Sequence, residues 1–311
     1  DNYNVAVGFD AGNDITTGTQ NTLIGGLAGD ALTIGGSNVA LGYQALTTDT
    51  QGSSSVAIGR NTLIVQNFTS ATDAFNVAVG DRAATAVTTG KYNTFIGGLA
   101  GDANTTASNN TAVGYSSLGA NTTGTSNAAV GYQALNANTT GVSNTAVGLL
   151  ALSSATTADN NVGIGTSAGA SLTTGPQNTA IGTFALDAAT TAGNNVAVGY
   201  LAGSAVTEGD LNVIVGALAG DALTTGTLNV GVGAFALSSA TSSAGNVAVG
   251  YAALEETTTG ANNTGVGYKA GEAVTIGVQN TLIGGFAGDA VTEANYNVAV
   301  GYTALSADTL G

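Results

Sequence analysis

A period constrains this chain more than any other feature. The pattern Asn-[Val/Thr]-Ala-[Val/Ile]-Gly starts at Asn4, Asn21, Asn38, Ser55, Asn76, Asn93, Asn110, Asn127, Asn144, Asn161, Asn178, Asn195, Asn212, Asn229, Asn246, Asn263, Asn280 and Asn297. Every step is 17 residues except 55 to 76, which is 21. A fixed short period along a whole chain means stacked copies of one supersecondary unit, each burying its apolar face against the next. Residues 1–311 therefore read as a single continuous repeat array of eighteen repeats from Asn4, with one 21-residue repeat at 55–75. A stack absorbs the four extra residues as a bulging loop, either a contact loop or drift. Asp1 stands in mid-repeat without an initiating Met, which reads as a segment of a longer fibre.

Numbered from the Asn, positions 1 to 5 (NTAVG at 144–148) carry the β-branched and small residues of a strand, and position 5 is Gly in every copy. One residue type held at one position is a stereochemical demand, here a bend at positive φ or a close backbone approach. Positions 12 to 15 often read Thr-Thr-Gly (LTTG at 172–175 and 223–226), a polar turn back to the next strand. The expected fold is all-β, a parallel β-solenoid or β-roll of about eighteen coils, each with two short strands.

The core shows itself through compensation. Position 9 is Leu in nine repeats (among them Leu46, Leu118, Leu135 and Leu152), and position 12 is then small or polar, as in Asp49, Asn121 and Ala155. Where position 9 is Gly or Ala, position 12 turns aliphatic (Ile15, Leu32, Val87, Leu172, Val206), except in the repeat at 93, with Gly101 and Asn104. One large side chain per coil suits a narrow, close-packed interior. Position 4 is aliphatic throughout, so positions 2 and 4 are expected to point inward and position 3 outward. Position 3 is nonetheless apolar, with Leu23, Phe95, Ile214 and Leu282 its largest members. A strand apolar on both faces is covered on both, which makes these four the expected oligomer face and a cyclic homo-oligomer or longer filament the expected state. The Asn column (Asn4, Asn21, Asn38, Asn144, Asn161, Asn178 and their equivalents) is expected to form a structural ladder of stacked amides.

Composition narrows the chemistry. No His and no Cys leave no common metal-ligand cluster, no thiol nucleophile and no imidazole base. The net charge of −15, with only Arg60, Arg82, Lys91 and Lys269 as cations, argues against nucleic acid as a partner. An acidic surface mainly keeps a long array soluble. No long apolar run or anchor motif points to membrane insertion.

SVAIG at 55–59, with its variants NVAVG, NVALG and NTAVG, resembles the head repeat of YadA-like trimeric autotransporter adhesins, and equally the repeats of phage tail fibres. The resemblance covers essentially the whole chain. It implies a left-handed parallel β-roll wound about a three-fold axis, a homotrimer whose surface or tip attaches to a host glycan or matrix. It implies an extracellular, cell-surface or virion location. The YadA-like repeat is usually shorter, and its neck motif and coiled-coil stalk are not seen here, which favours a virion fibre.

The remaining candidates are weighed against that frame. Tyr43, Tyr115, Tyr132, Tyr200, Tyr251, Tyr268 and Tyr302 share position 6, either a row that stacks on sugar rings or amphipathic residues along a subunit seam. Asp30, Asp102, Asp221 and Asp289 at position 10 lie mostly in distant coils, unlike the converging oxygens of a calcium-binding roll. GIGTSAG (163–169) and IGGLAG (24–29) lack the Gly-Lys-Ser/Thr of a phosphate loop. Glu255 and Glu256 are adjacent on the chain and so point to opposite faces, unlike a glycosidase pair. Adjacent Thr at positions 13 and 14 split between faces, whereas ice-binding surfaces use Thr-x-Thr. The function expected is a structural and adhesive fibre segment without enzyme activity, cofactor or metal. The alternative is a monomeric solenoid binding ice or polysaccharide.

Overall fold

The computed structural model describes residues 2–307. They form an all-β parallel β-solenoid of about 17–18 turns, with no helix among the described residues. Two compact units divide the chain, residues 1–158 and 159–311. In the first, the coil strands are β1 (Val5–Val7), β2 (Thr22–Ile24), β3 (Val39–Leu41), β5 (Val56–Ile58), β7 (Val77–Val79), β8 (Thr94–Ile96), β9 (Thr111–Val113), β10 (Ala128–Val130) and β11 (Thr145–Val147). Between them lie two short strands, β4 (Gly52–Ser53) and β6 (Thr72–Asp73). The second unit holds β12 (Val162–Ile164), β13 (Thr179–Ile181), β14 (Val196–Val198), β15 (Val213–Val215), β16 (Val230–Val232), β17 (Val247–Val249), β18 (Thr264–Val266), β19 (Thr281–Ile283) and β20 (Val298–Val300). Pairing is parallel and in register with the repeat, as in Val5↔Thr22 and Ala248↔Gly265.

Each described coil thus has one three-residue strand where two were expected; among the described residues the only second pairing is β4 with β6, beside the long repeat. The backbone explains the difference. Positions 7, 9 and 17 take positive φ in coil after coil, as at Gln133 (52°), Leu135 (51°) and Ser143 (58°), and a left-handed residue interrupts an extended run. The rest of each coil is a chain of tight turns tied to the next coil by backbone bonds such as Leu135 N–H to Ala151 O (2.9 Å) and Thr139 N–H to Thr156 O (2.8 Å). Position 5 is glycine for both anticipated reasons. Gly25 sits at φ +135, and a Cβ there would lie 2.5 Å from Gly42 O in the next coil.

The inward and outward faces are the reverse of the expectation. Leu23, Phe95, Ile214 and Leu282 are wholly buried inside their own coils, together with Ala40, Ala57 and Ala129 at the same position. They are core residues and cannot be an oligomer face. Positions 2 and 4 point outward, as at Ile24 (37% exposed) and Leu41 (40%). Two physical reasons fix this. Position 1 is a buried Asn, and alternation along a strand puts positions 1 and 3 on the same side. The interior is also already filled by the side chains at positions 3, 9 and 12, as by Leu23 with Leu32 in one coil and Leu46 in the next, which leaves no room for a Val, Ile or Leu from position 4 in every coil.

Position 3 joins the compensation instead. Each large residue there stands opposite a glycine at position 9: a Cβ on Gly29 would lie 2.8 Å from Leu23, on Gly220 3.1 Å from Ile214, and on Gly288 2.7 Å from Leu282. Phe95 against Gly101 accounts for the repeat at 93, where Asn104 left the core short of a large residue: a Cβ on Gly101 would overlap the Phe95 ring.

Candidate interaction surface

The Asn column runs through each unit as a buried ladder. Asn38 is representative: its Nδ2 donates to Gly52 O (2.9 Å) across its own coil, and its backbone N–H donates to Asn21 Oδ1 (3.0 Å) in the preceding coil. Asn21 N–H donates in the same way to Asn4 Oδ1 (2.9 Å), and Asn178 N–H to Asn161 Oδ1 (2.8 Å). Asn144 donates to Asn127 Oδ1 and, through Nδ2, to Ala158 O (2.7 Å). These amides satisfy turn carbonyls and neighbouring N–H groups that burial would otherwise orphan.

Ser55 breaks the column, and there the structure shows what the sequence did not. Gln66, from position 12 of the long repeat, is buried and donates to Ser55 Oγ (3.0 Å) and Asp49 Oδ2 (2.7 Å) while accepting from Asn76 Nδ2 (2.9 Å). Asp49, also buried, accepts from the N–H groups of Gly52 (2.9 Å) and Phe68 (3.1 Å). A serine leaves room that a longer amide fills from the other wall. A shorter polar stack, Asn138 to Asn121 to Asn104 (2.8 Å each), occupies position 12 nearby.

Outside, the strand face presents two rows: position 2 (Val, Thr or Ala) and position 4 (Val, Ile or Leu), with no charged residue in any copy. Half-buried to exposed throughout the described coils, they form an apolar strip along each unit. The position-6 tyrosines border it, and all seven are exposed. Tyr115 stacks on Tyr132 with ring centroids 5.7 Å apart and planes at 15°, and Tyr251 on Tyr268 at 5.4 Å and 11°. Phe235, Phe286 and Tyr302 extend the second pair edge to face, giving five rings in a row. Tyr43 lies over Gly26 of the preceding coil. Within a stacked pair the inner ring faces cover one another, which leaves each ring one outer face. Sugar rings need an open aromatic face.

The polar candidates stay dispersed. Among the described residues, no three His, Cys, Asp or Glu are grouped to hold a metal ion. Asp30 instead accepts from Thr47 Oγ1 (2.9 Å). Partial burial raises the carboxyl pKa of Asp102, Asp187, Asp221 and Glu255 above the ordinary value, and Glu272 adds repulsion at Glu255. Arg60 grips Asp81 (2.8 Å) and lowers its carboxyl; Lys269 pairs with Glu272 (2.7 Å). Position 13 threonines donate to the carbonyl of their counterpart one coil on, as Thr122 to Thr139 O (3.0 Å) and Thr139 to Thr156 O (3.1 Å), so their hydroxyls serve the stack. GIGTSAG and IGGLAG are strand and turn, with no helix to follow.

No protein-family model matches this chain, and no curated protein is similar to it.

Proposed function

We propose that this chain is a structural and adhesive fibre segment, a homotrimer in which copies join through the strand face, supplying length, rigidity and display at a virion or cell surface. The observation that carries the reading is the uncharged strip of positions 2 and 4, aliphatic in every copy of row 4 and Val, Thr or Ala in row 2, repeated coil after coil on an acidic chain. Monomeric proteins rarely leave such a strip bare. At about 4.8 Å per rung and about 10 Å per three-residue strand, each unit offers on the order of 400 Å² per copy. The two together approach the roughly 800 Å² per partner of a stable specific interface. Three-fold symmetry and attachment to a host glycan or matrix follow from the resemblance of SVAIG and NTAVG to adhesin-head and tail-fibre repeats. No enzyme activity, cofactor or membrane insertion belongs to this reading.

Light scattering of the purified chain tests it, with a mass of three chains expected. Val130→Glu and Ile164→Glu, on exposed row-4 sites, should then yield folded monomers with unchanged circular dichroism. A wild-type monomer would overturn the reading and turn attention to ice or polysaccharide binding.

A further inference from the structure

The chain contains no Cys, Met, Trp or His, so its ten tyrosines are the most readily oxidised side chains it has. Four of them stand in two face-to-face pairs, Tyr115–Tyr132 and Tyr251–Tyr268, with centroids 5.7 and 5.4 Å apart. Each ring is about half exposed, 45% at Tyr251 and 51% at Tyr115, and so open to a reagent in solution. The backbones beneath are locked. Strand β9 pairs with β10 and β17 with β18, each strand ending two residues before its tyrosine, while Gln133 N–H to Tyr115 O (3.0 Å) and Lys269 N–H to Tyr251 O (2.9 Å) hold the residues that follow. Two phenols are thus presented in contact at a spacing set by the solenoid, with little conformational freedom left to lose on coupling.

We propose that Tyr115–Tyr132 and Tyr251–Tyr268 are sites of oxidative coupling, where a peroxide-driven one-electron oxidant of the haem-peroxidase class joins neighbouring coils through dityrosine. Each phenol gives up one electron and its hydroxyl proton, leaving a phenoxyl radical. The two radicals form a carbon–carbon bond between ring carbons ortho to the oxygens, and the hydrogens displaced from those carbons return to the oxygens as the rings regain aromaticity. One hydrogen peroxide takes up the two electrons and two protons and leaves as two waters. The product is a covalent rung across one coil step. This inference rests on the fold alone and not on the trimer.

The other position-6 tyrosines lack this geometry. Gly26 occupies the equivalent place before Tyr43, and Phe286 stands beside Tyr302. Phe75, stacked on Tyr92 at 5.8 Å, has no phenol to couple.

The test treats the intact chain with peroxidase and hydrogen peroxide, then maps dityrosine by its fluorescence and by mass spectrometry of peptides from the monomer band of a denaturing gel. The expected result is two linkages within one chain, 115–132 and 251–268, each with the loss of two hydrogens. Tyr132→Phe, which keeps the ring stack, should abolish the first and spare the second, and Tyr268→Phe the reverse. Absence of dityrosine while free tyrosine couples in the same mixture, links confined to dimer bands, or equal linkage at Tyr43 and Tyr200 would each overturn the proposal.

Discussion

At the residue scale, the controlling fact is that positions 3 and 9 of a coil draw on one volume, which a single large side chain fills. Phe95 does so in the coil that begins at Asn93, and Gly101 is bare because the ring occupies its space. Phe95→Ala should cost about 3–5 kcal/mol by emptying that volume. Adding Gly101→Leu recreates the Ala–Leu arrangement of the coils with Ala112 and Leu118 or Ala129 and Leu135 and should recover most of the loss. Gly101→Leu alone should destabilise by overpacking, about 1–3 kcal/mol. Denaturant titration of the three variants yields the coupling energy; additive effects would mean that the two positions do not share one volume. Left-handed backbone geometry sets a second residue-scale rule. Positions 7, 9 and 17 hold Leu, Ala, Gln, Ser, Asn, Asp, Arg, Lys, Gly and aromatics but never Val or Ile, and Thr only at Thr303. A β-branched side chain fits poorly at φ near +55°. Those three columns were the available sign that each coil would hold one strand and not two.

At the element scale, the asparagine ladder replaces the second strand as the tie between coils. Asn127 is one rung: Nδ2 donates to Gly141 O (2.8 Å) and Oδ1 accepts from Asn144 N–H (2.9 Å). Asn127→Ala leaves Gly141 O with Asn138 Nδ2 (3.0 Å) as its remaining side-chain donor and takes the Oδ1 acceptor from the buried Asn144 N–H, and should cost about 1–3 kcal/mol. Gln66→Ala makes the same test at the irregular coil, stripping one donor from Asp49 and one acceptor from Asn76. The adjoining segment Thr69–Ser70–Ala71 is exposed, so this variant should be cut there by protease sooner than the wild type at equal concentration. Equal cleavage rates would show that Gln66 does not secure the long repeat. The Asn column was legible because its residue type recurs at one position. Gln66 was not, because its role depends on Ser55 eleven residues away, and only the closed coil brings them together.

At the scale of the whole molecule, the period, the bend at position 5 and the exchange between positions 9 and 12 were all readable from the sequence, because each recurs in register. The side of the strand that faces inward was misread, because Val-Ala-Val is apolar on both faces and hydrophobicity alone cannot choose between them. Parity with the buried Asn decides it, and that parity also moves the candidate surface from Leu23, Phe95, Ile214 and Leu282 to rows 2 and 4. Charge acts at this scale as well. Burial raises the carboxyl pKa of Asp102, Asp187, Asp221 and Glu255, so these groups bind protons more readily folded than unfolded. Stability from such groups is fully present below the unfolded carboxylate pKa, about 4, and is lost as pH rises through the higher folded values. Asp81 shifts the opposite way through Arg60 but is fully exposed and carries little weight. Protonation also relieves the self-repulsion of a chain at −15. Thermal unfolding should therefore shift to higher temperature as pH falls from about 7 toward about 5, with solubility declining near the isoelectric point of 4.1. Asp187→Asn and Asp221→Asn together should raise the midpoint at neutral pH and flatten its pH dependence. A midpoint that falls on acidification would mean that these carboxylates are better solvated in the folded coil than in the unfolded chain.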